Sequence, residues 1–279
     1  MAYNSSITNK EVCAITEKEY REHPAISRSS LWKIRESPEK FKYFAENPQK
    51  PTPALIFGQV FHKLALEPLT FGDEFAVAPV VDRRTALGKS KWNDFVASAD
   101  GKTIIDQDTF DKASEMVCAL YRAPYVKKLL SGQHEVPMFW NDDLTGEPCK
   151  CRHDAVSVIG GNDIIVDLKT TADASTEVFM RSAVKYGYDF QAAMYSDGYE
   201  KNTGKKPMFV FISIEKEPPY AVNILQADEA FITHGYDVFR ELIGIYHECK
   251  ETNNWYGYLG AYKAINNLGL PSWLSKEIE

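Results

Sequence analysis

Two aspartates and a lysine are the residues of this 279-residue chain whose types and spacing could do chemistry. Asp167 and Lys169 stand two positions apart in a run rich in Ile and Val, and Asp154 lies in the run before it. Side chains alternate along a β-strand, so Asp167 and Lys169 are expected to project from one face. A hairpin turn at Gly160 and Gly161 would bring Asp154 alongside Asp167. The sequence therefore predicts two carboxylates and one ammonium group together on a sheet.

A cluster of this kind needs a positive partner, because two carboxylates that meet on an apolar sheet would otherwise shift their pKa values. A divalent cation satisfies both carboxylates. Mg²⁺ prefers hard oxygen ligands and keeps water molecules that can act as nucleophiles. Lys169 could orient or help to deprotonate that water and could stabilise charge on a phosphate. An isolated Asp-x-Lys is more often a solvated ion pair at a strand end, so the neighbouring residues decide the prediction.

Three further side chains could join this cluster. Gln191 and Tyr195 are four residues apart on a predicted helix, so they share a face and could reach a phosphate or a base edge. Such a pair more often consists of solvent-exposed residues without a functional role. His62 follows Gly58 by one turn in an apolar helix, and its imidazole is a usable metal ligand. A histidine in that setting is more often a core residue, although Gly58 would leave room for another element to approach closely.

A basic segment precedes the region of the aspartates. Arg83, Arg84, Lys89 and Lys91 stand against a single acid, Asp82, which gives a local excess of three positive charges. This stretch could contact the phosphates of DNA, and a solvated face near a helix start is an equally good interpretation. The whole chain carries a formal net charge of -7, which argues against a protein that coats nucleic acid through bulk charge.

Cysteines and one more acid give weaker signals. The five cysteines form an odd, scattered set, which is typical of reduced thiols in the cytoplasm. Cys149 and Cys151 alternate with His153, but a strand lacks the turn that wraps a zinc ion and no second cysteine pair follows, so structural thiols are predicted. Glu135 could be a further acid near the metal, although a surface position at a strand edge is favoured.

Several function classes are not supported by the sequence. A Walker-type phosphate loop is absent, which argues against an ATP-driven motor, and so is the Gly-x-Ser-x-Gly elbow of common hydrolases. No window approaches the roughly 18 apolar residues that a membrane span needs, and the first residues lack a signal-peptide pattern. We therefore expect a cytoplasmic protein without a membrane partner.

The elements that position these residues alternate between helices and strands. Helices are predicted from Leu31 behind a Ser29 or Ser30 cap, from Pro38 behind a Ser37 cap, and over residues 54–66, about 106–122, 174–185, 189–201 and 227–250. Strands are predicted over residues 134–140, 149–158, 164–169, 208–215 and 220–225, with a short extended run at 76–81. The fold class is thus α/β or α+β, with a central mixed β-sheet flanked by helices and a helical N-terminal layer.

We expect one domain with a short extension before it. Residues 1–26 form the predicted N-terminal extension and residues 27–279 the domain. Within it, residues 27–130 form a helical part, residues 131–225 the core that carries the aspartates, and residues 226–279 a C-terminal helical part.

Taken in order, these residues resemble the PD-(D/E)XK nuclease superfamily in its RecB-like branch. The matching segments also resemble the exonuclease VIII (RecE) nuclease domain and its phage relatives, over residues 27–199. They are SRSSLWKIRESPEKF, ALIFGQVFHKLALEP, RRTALGKSKW, KCRHDAV, IIVDLKTTADAS and YDFQAAMYSDGY. One departure is His153, which stands where the superfamily carries the proline of its name.

The resemblance implies a role for each matching residue. It implies a metal held by His62, Asp154, Asp167 and the backbone carbonyl of Leu168. Lys169 would be the catalytic lysine, working with both aspartates. Gln191 and Tyr195 would hold the DNA strand near the scissile phosphate and complete the catalytic set.

The resemblance also implies an activity and partners. The expected protein is an ATP-independent, 5′-to-3′ exonuclease that degrades linear double-stranded DNA from its ends, using Mg²⁺ with Mn²⁺ as a substitute and neither an iron–sulfur cluster nor zinc. Such enzymes often form a ring-shaped homo-oligomer and work with a single-strand annealing protein in phage or prophage recombination.

Two alternatives remain open from the sequence. One is a RecB-like nuclease that prefers single strands or flaps, or a structure-selective endonuclease, because end preference depends on loops that close the channel. The other is a non-catalytic DNA-binding protein that retains the fold, whose signature would be loss of Asp154, Asp167 or Lys169.

Overall fold

A six-stranded mixed sheet forms the centre of the computed structural model, which describes residues 15–260, 265, 268 and 269. The strands are β1 (Ile26–Ser27), β2 (Phe75–Val77), β3 (Thr103–Ile105), β4 (Gln133–Asn141), β5 (Pro148–Ile159), β6 (Asn162–Thr171), β7 (Met208–Glu215) and β8 (Val222–Gln226). Strands β4, β5 and β6 form an antiparallel meander, β7 runs parallel to β6, and β8 closes the sheet antiparallel to β7. Strand β1 pairs parallel with β5, and β2 and β3 form a separate parallel pair.

Helices cover both faces of this sheet. They are α1 (Glu17–Glu22), α2 (Arg28–Ile34), α3 (Pro38–Glu46), α4 (Pro53–Leu66), α5 (Phe71–Glu74), α6 (Ala86–Ser98), α7 (Gln107–Arg122), α8 (Val126–Leu129), α9 (Thr176–Tyr186), α10 (Tyr188–Thr203) and α11 (Glu229–Thr252). A mixed sheet flanked by helices confirms the fold class predicted from the sequence.

Alternation along β6 creates two separate cores. Val166 and Leu168 pack with α4 and α7, whereas Ile165 packs with α2, α10 and α11 on the opposite face. Asp167 shares the side of Ile165, because residues two apart in a strand point the same way. The Asp167 side chain therefore projects towards the helical layer that contains α10.

Capping residues explain where several helices begin. Ser37 accepts a hydrogen bond from the Lys40 N–H ahead of α3, and Asp106 caps α7, both as predicted. The predicted caps of α2 were wrong, because Ser27 accepts the bond from the Ser30 N–H and the helix begins three residues earlier than expected.

The segment before residue 27 is attached to the sheet. The Lys150 ammonium donates to the backbone carbonyls of Tyr20 (2.6 Å) and His23 (2.8 Å), which fixes the end of α1 against β5. The expected boundary after residue 26 falls inside β1. Residues 1–14 of the predicted extension, and residues 261–264, 266–267 and 270–279 of the predicted C-terminal part, lie outside the described residues. None of the helices in the described part of the chain has the length and apolar character needed to cross a membrane.

Candidate active site

The site lies where two neighbouring strands separate. Strands β5 and β6 pair only from Ala155 opposite Val166 to the hairpin end, where Gly160 and Gly161 both adopt positive φ. One step beyond the last pair, the register sets Asp154 opposite Asp167. The Leu168 N–H donates to Asp154 Oδ2 at 2.7 Å, so the carboxylate bridges the opening. The hairpin predicted from the sequence therefore brings the two aspartates together.

Asp167 is buried between an amide and an ammonium group. Gln191 Nε2 donates to Oδ1, and the Lys169 ammonium forms an ion pair with Oδ2, which makes no hydrogen bond with any other described residue. Burial raises the pKa of Asp167; Lys169 opposes this shift and the Asp154 carboxylate adds to it. The lysine thus supplies the positive charge that this buried acid requires.

His62 reaches the other aspartate from α4. Its Nδ1 lies 3.5 Å from Asp154 Oδ2. Burial disfavours the imidazolium, but the Asp154 charge outweighs it and raises the pKa of His62 to about 8. Burial also favours the neutral form of Asp154, yet His62, Lys169 and the Leu168 N–H hold its pKa below the ordinary value. Gly58 gives no close approach, because a Cβ placed there meets nothing within 4 Å, so that expectation was wrong.

Glu135 is the residue that the sequence interpretation misplaced. It is not a surface residue: its side chain is 18% exposed, and its Oε2 accepts from Arg152 Nε at 2.7 Å. Single ligand atoms of Glu135, His62 and Asp154 all lie within 4.8 Å of one another. Burial and the Asp154 charge raise the pKa of Glu135 to about 8. The signal that could have found it is the β4–β5 pairing, which sets position 135 opposite position 154.

Gln191 and Tyr195 share a face of α10, as predicted, but their surroundings differ. Gln191 is buried and contacts Asp167, whereas Tyr195 packs its ring against His153 (5.4 Å between centroids) and Phe209 (6.5 Å). Burial raises the pKa of Tyr195, so its hydroxyl stays protonated. The amide therefore orients the carboxylate in this structure.

The residues weighed for zinc, Cys149, Cys151 and His153, are all buried in the sheet. Cys149 Sγ donates to the Glu147 carbonyl at 3.6 Å, while Cys151 Sγ lies 3.6 Å from His153 Nε2. Burial lowers the pKa of His153 to about 3, so the ring is neutral inside the core. These side chains form part of the packing beneath Tyr195.

The predicted DNA-contacting segment lies on the loop before α6 and on α6 itself. Its exposed basic residues are Arg83, Arg84, Lys89 and Lys91. The Arg83 guanidinium lies 3.8 Å from the centroid of the Trp92 ring, and Arg84 pairs with Asp82 at 3.0 Å. Asp82 therefore partly neutralises Arg84, while the Lys89 and Lys91 side chains are exposed on α6.

The donor set of the site fits a divalent cation. Carboxylate oxygens and an imidazole nitrogen converge around Asp154, and Lys169 is the sole partner of the buried Asp167 Oδ2 among the described residues. Hard carboxylate oxygens suit Mg²⁺ and Mn²⁺, whereas the imidazole nitrogen favours a transition metal such as Mn²⁺. The ion would be held by the converging His62, Glu135 and Asp154, with Asp167 opposite Asp154 in the strand register.

The family comparison and one solved structure agree with this architecture. The model of a family described as "PDDEXK-like domain of unknown function (DUF3799)" matches residues 27–267. A solved structure described as a "Putative exonuclease" from Eubacterium rectale superposes with a TM-score of 0.62 at 18% identity, covering 94% of this chain and 97% of the other. A second, described as SSO0001, covers 68% of this chain and 86% of its own at 15% identity and a TM-score of 0.30. No curated protein matches the sequence.

Proposed function

The chain belongs to the family of PDDEXK-like domains described as DUF3799, and from this membership and the site we propose that it is a divalent-metal-dependent nuclease. The membership confirms the resemblance to the PD-(D/E)XK superfamily seen in the sequence. The observation that carries the proposal is the convergence of Asp154, Asp167 and Lys169 at the strand opening, with His62 at hydrogen-bonding range.

Each residue of the site has a task in phosphodiester hydrolysis. A bound cation would polarise the phosphodiester and lower the pKa of a water molecule. Asp154 and Asp167 supply charge to hold that cation, and Gln191 keeps Asp167 oriented through its Oδ1. Lys169, two residues from Asp167 on the same strand face, lies where it can stabilise charge that develops on the scissile phosphate.

We further propose the substrate and polarity. Supported by the sequence resemblance, the substrate is linear duplex DNA, degraded 5′ to 3′ with Mg²⁺ or Mn²⁺ and without ATP to leave 3′ single-stranded tails. The same resemblance supports a homo-oligomer of the ring-shaped kind that such enzymes often form, which hands these tails to a single-strand annealing protein. The basic segment around Lys89 and Lys91 offers the positive charge that a DNA end requires.

Digestion of end-labelled duplex with Mg²⁺ and without ATP tests the substrate and polarity. Linear duplex should be consumed from its 5′ ends, and closed circular duplex should survive. Cutting of closed circles would identify an endonuclease, and cutting restricted to single strands or flaps would identify the corresponding RecB-like activity. Cleavage that required ATP would contradict the proposal directly.

Asp167→Ala tests the site itself. We expect cleavage to fall by at least roughly a thousandfold, because both the cation and Lys169 lose their shared carboxylate. Circular dichroism and thermal unfolding should show a folded protein. Asp100→Ala, at an exposed position, is the matched control and should cleave like the wild type. Equal cleavage by the two variants would rule out the assigned site, and failure of the wild type to bind Mg²⁺ or Mn²⁺ by calorimetry would favour a non-catalytic DNA-binding protein.

A further inference from the structure

The Lys169 ammonium has a second neighbour besides Asp167. It lies 4.8 Å from the centroid of the Tyr188 ring, within the range at which an aromatic face attracts a cation. Tyr188 is the first residue of α10, directly after Gly187, whose φ of +67° turns the chain from α9 into α10. The turn thus sets an aromatic face beside the lysine of the site.

Packing fixes the position of that ring. Tyr188 lies 5.9 Å, centroid to centroid, from both Phe179 and Phe211, which anchor it to α9 and β7. Burial raises the pKa of Tyr188, and although Lys169 opposes this shift the hydroxyl stays neutral. The ring is therefore a fixed, uncharged surface that does not depend on Asp167 for its place.

A cation at Asp167 would change the surroundings of Lys169. In this structure the ammonium is the positive partner of Asp167 Oδ2, the atom that a divalent cation would also need. Two positive charges repel each other, and the lysine side chain is only 17% exposed, so water cannot fully solvate a displaced ammonium. A carboxylate partner would compete for the cation, whereas a neutral aromatic face would not.

We propose that Tyr188 is a positioning residue that holds the Lys169 ammonium when a divalent cation takes over Asp167, an inference that rests on the proposed nuclease function. The ring keeps the ammonium beside the reacting phosphate and lowers the free-energy cost of exchanging lysine for metal. Tyr188 therefore acts through Lys169, without contacting the substrate.

A double-mutant cycle on Mg²⁺ affinity, measured by calorimetry, tests this coupling. Tyr188→Leu should weaken Mg²⁺ binding roughly fivefold, because an ammonium that has lost Asp167 depends more on the ring than one that is still paired with the carboxylate. Tyr188→Phe retains the aromatic face and should bind like the wild type. In a Lys169→Met background, Tyr188→Leu should have no effect. In cleavage assays Tyr188→Leu should lower kcat while leaving KM for DNA unchanged.

Three results would overturn the inference. Weaker Mg²⁺ binding of equal size in both backgrounds would indicate a purely structural role, and unchanged binding in Tyr188→Leu would remove the contact altogether. If the leucine variant is poorly folded, trifluorophenylalanine at position 188 gives a shape-matched check, because fluorine withdraws negative charge from the ring face. Mg²⁺ binding should then be weaker than in Tyr188→Phe. Equal Mg²⁺ binding by the two variants would contradict the proposal. Failure of the proposed nuclease function would give a different result from failure of the Tyr188 proposal, because wild-type protein would then neither bind Mg²⁺ nor cleave DNA.

Discussion

Asp154 and Asp167 face each other across the strand opening in different electrostatic surroundings. Contacts with His62, Lys169 and the Leu168 N–H lower the pKa of Asp154, whereas burial raises that of Asp167. Two carboxylates whose pKa values are pushed apart are typical of sites that divide tasks between acids. Asp154 is thus ionised and can bind a cation directly. Asp167 depends on Lys169 to stabilise its negative charge until a cation binds.

Glu135→Gln tests whether the misplaced acid belongs to this cation site. We expect Mg²⁺ binding to weaken by roughly tenfold at pH 9, because one charged donor is lost. The effect should be smaller at pH 7, since the pKa of Glu135 is about 8 and below it the wild type must first release a proton. Calorimetry at the two pH values measures both affinities. Glu177→Gln, at an exposed position, is the control; matching values for the two variants would exclude Glu135 from the site.

At the level of elements, one close contact sets the position of α10. Helix α11 crosses it so closely that a Cβ on Gly235 would lie 2.0 Å from the Asp189 carbonyl oxygen. Asp189 is two residues before Gln191, and its Oδ2 pairs with His234 Nδ1 at 2.5 Å. The absence of a side chain at position 235 therefore sets how closely α10 can approach the sheet. It also sets the position of Gln191 in α10 relative to Asp167.

Gly235→Ala should move this contact. We expect a loss of about 2–3 kcal/mol in the free energy of unfolding from overpacking, together with a lower kcat as Gln191 shifts from Asp167. Gly244→Ala, in the same helix, meets nothing within 4 Å. That control should instead gain about 0.5–1 kcal/mol through helix propensity. Urea unfolding and cleavage assays compare the two, and similar behaviour would show that the crossing is loose.

The sequence predicted most elements with strong periodicity, but it missed α1 and α6, although each begins behind a capping threonine. Strand β7 (Met208–Glu215) was predicted to its observed ends, because its hydrophobic run is bounded by turn residues on both sides. Strands β1 and β3 hold two and three residues, too few for any alternation to be visible. Asp154 and Asp167 were brought together correctly, since one hairpin decides their register. Glu135 reaches the site because it lies on a third strand, β4, and because its backbone φ is +50°. No local sequence pattern reveals either feature.

Charge is unevenly distributed over the whole molecule. The chain carries a net charge of -7, yet one short stretch exposes four basic residues, Arg83, Arg84, Lys89 and Lys91. DNA is a polyanion, and most of the surface of an acidic protein repels it. DNA binding must therefore depend on a local basic patch and on bound cations. Helix α6 is the part of the described chain where the sequence predicts that patch.

Lys89→Ala with Lys91→Ala tests whether this helix contacts DNA phosphates. Each phosphate contact contributes about 0.9 to the slope of log affinity against log salt concentration, so losing both should flatten that slope by about 1.8. Fluorescence anisotropy with labelled duplex, in an Asp167→Ala background that prevents cleavage, measures the slope. Lys127→Ala with Lys128→Ala on α8 removes the same net charge from another exposed site. Because bulk charge alone would flatten both slopes equally, only a change confined to α6 supports direct contact between this helix and the DNA backbone.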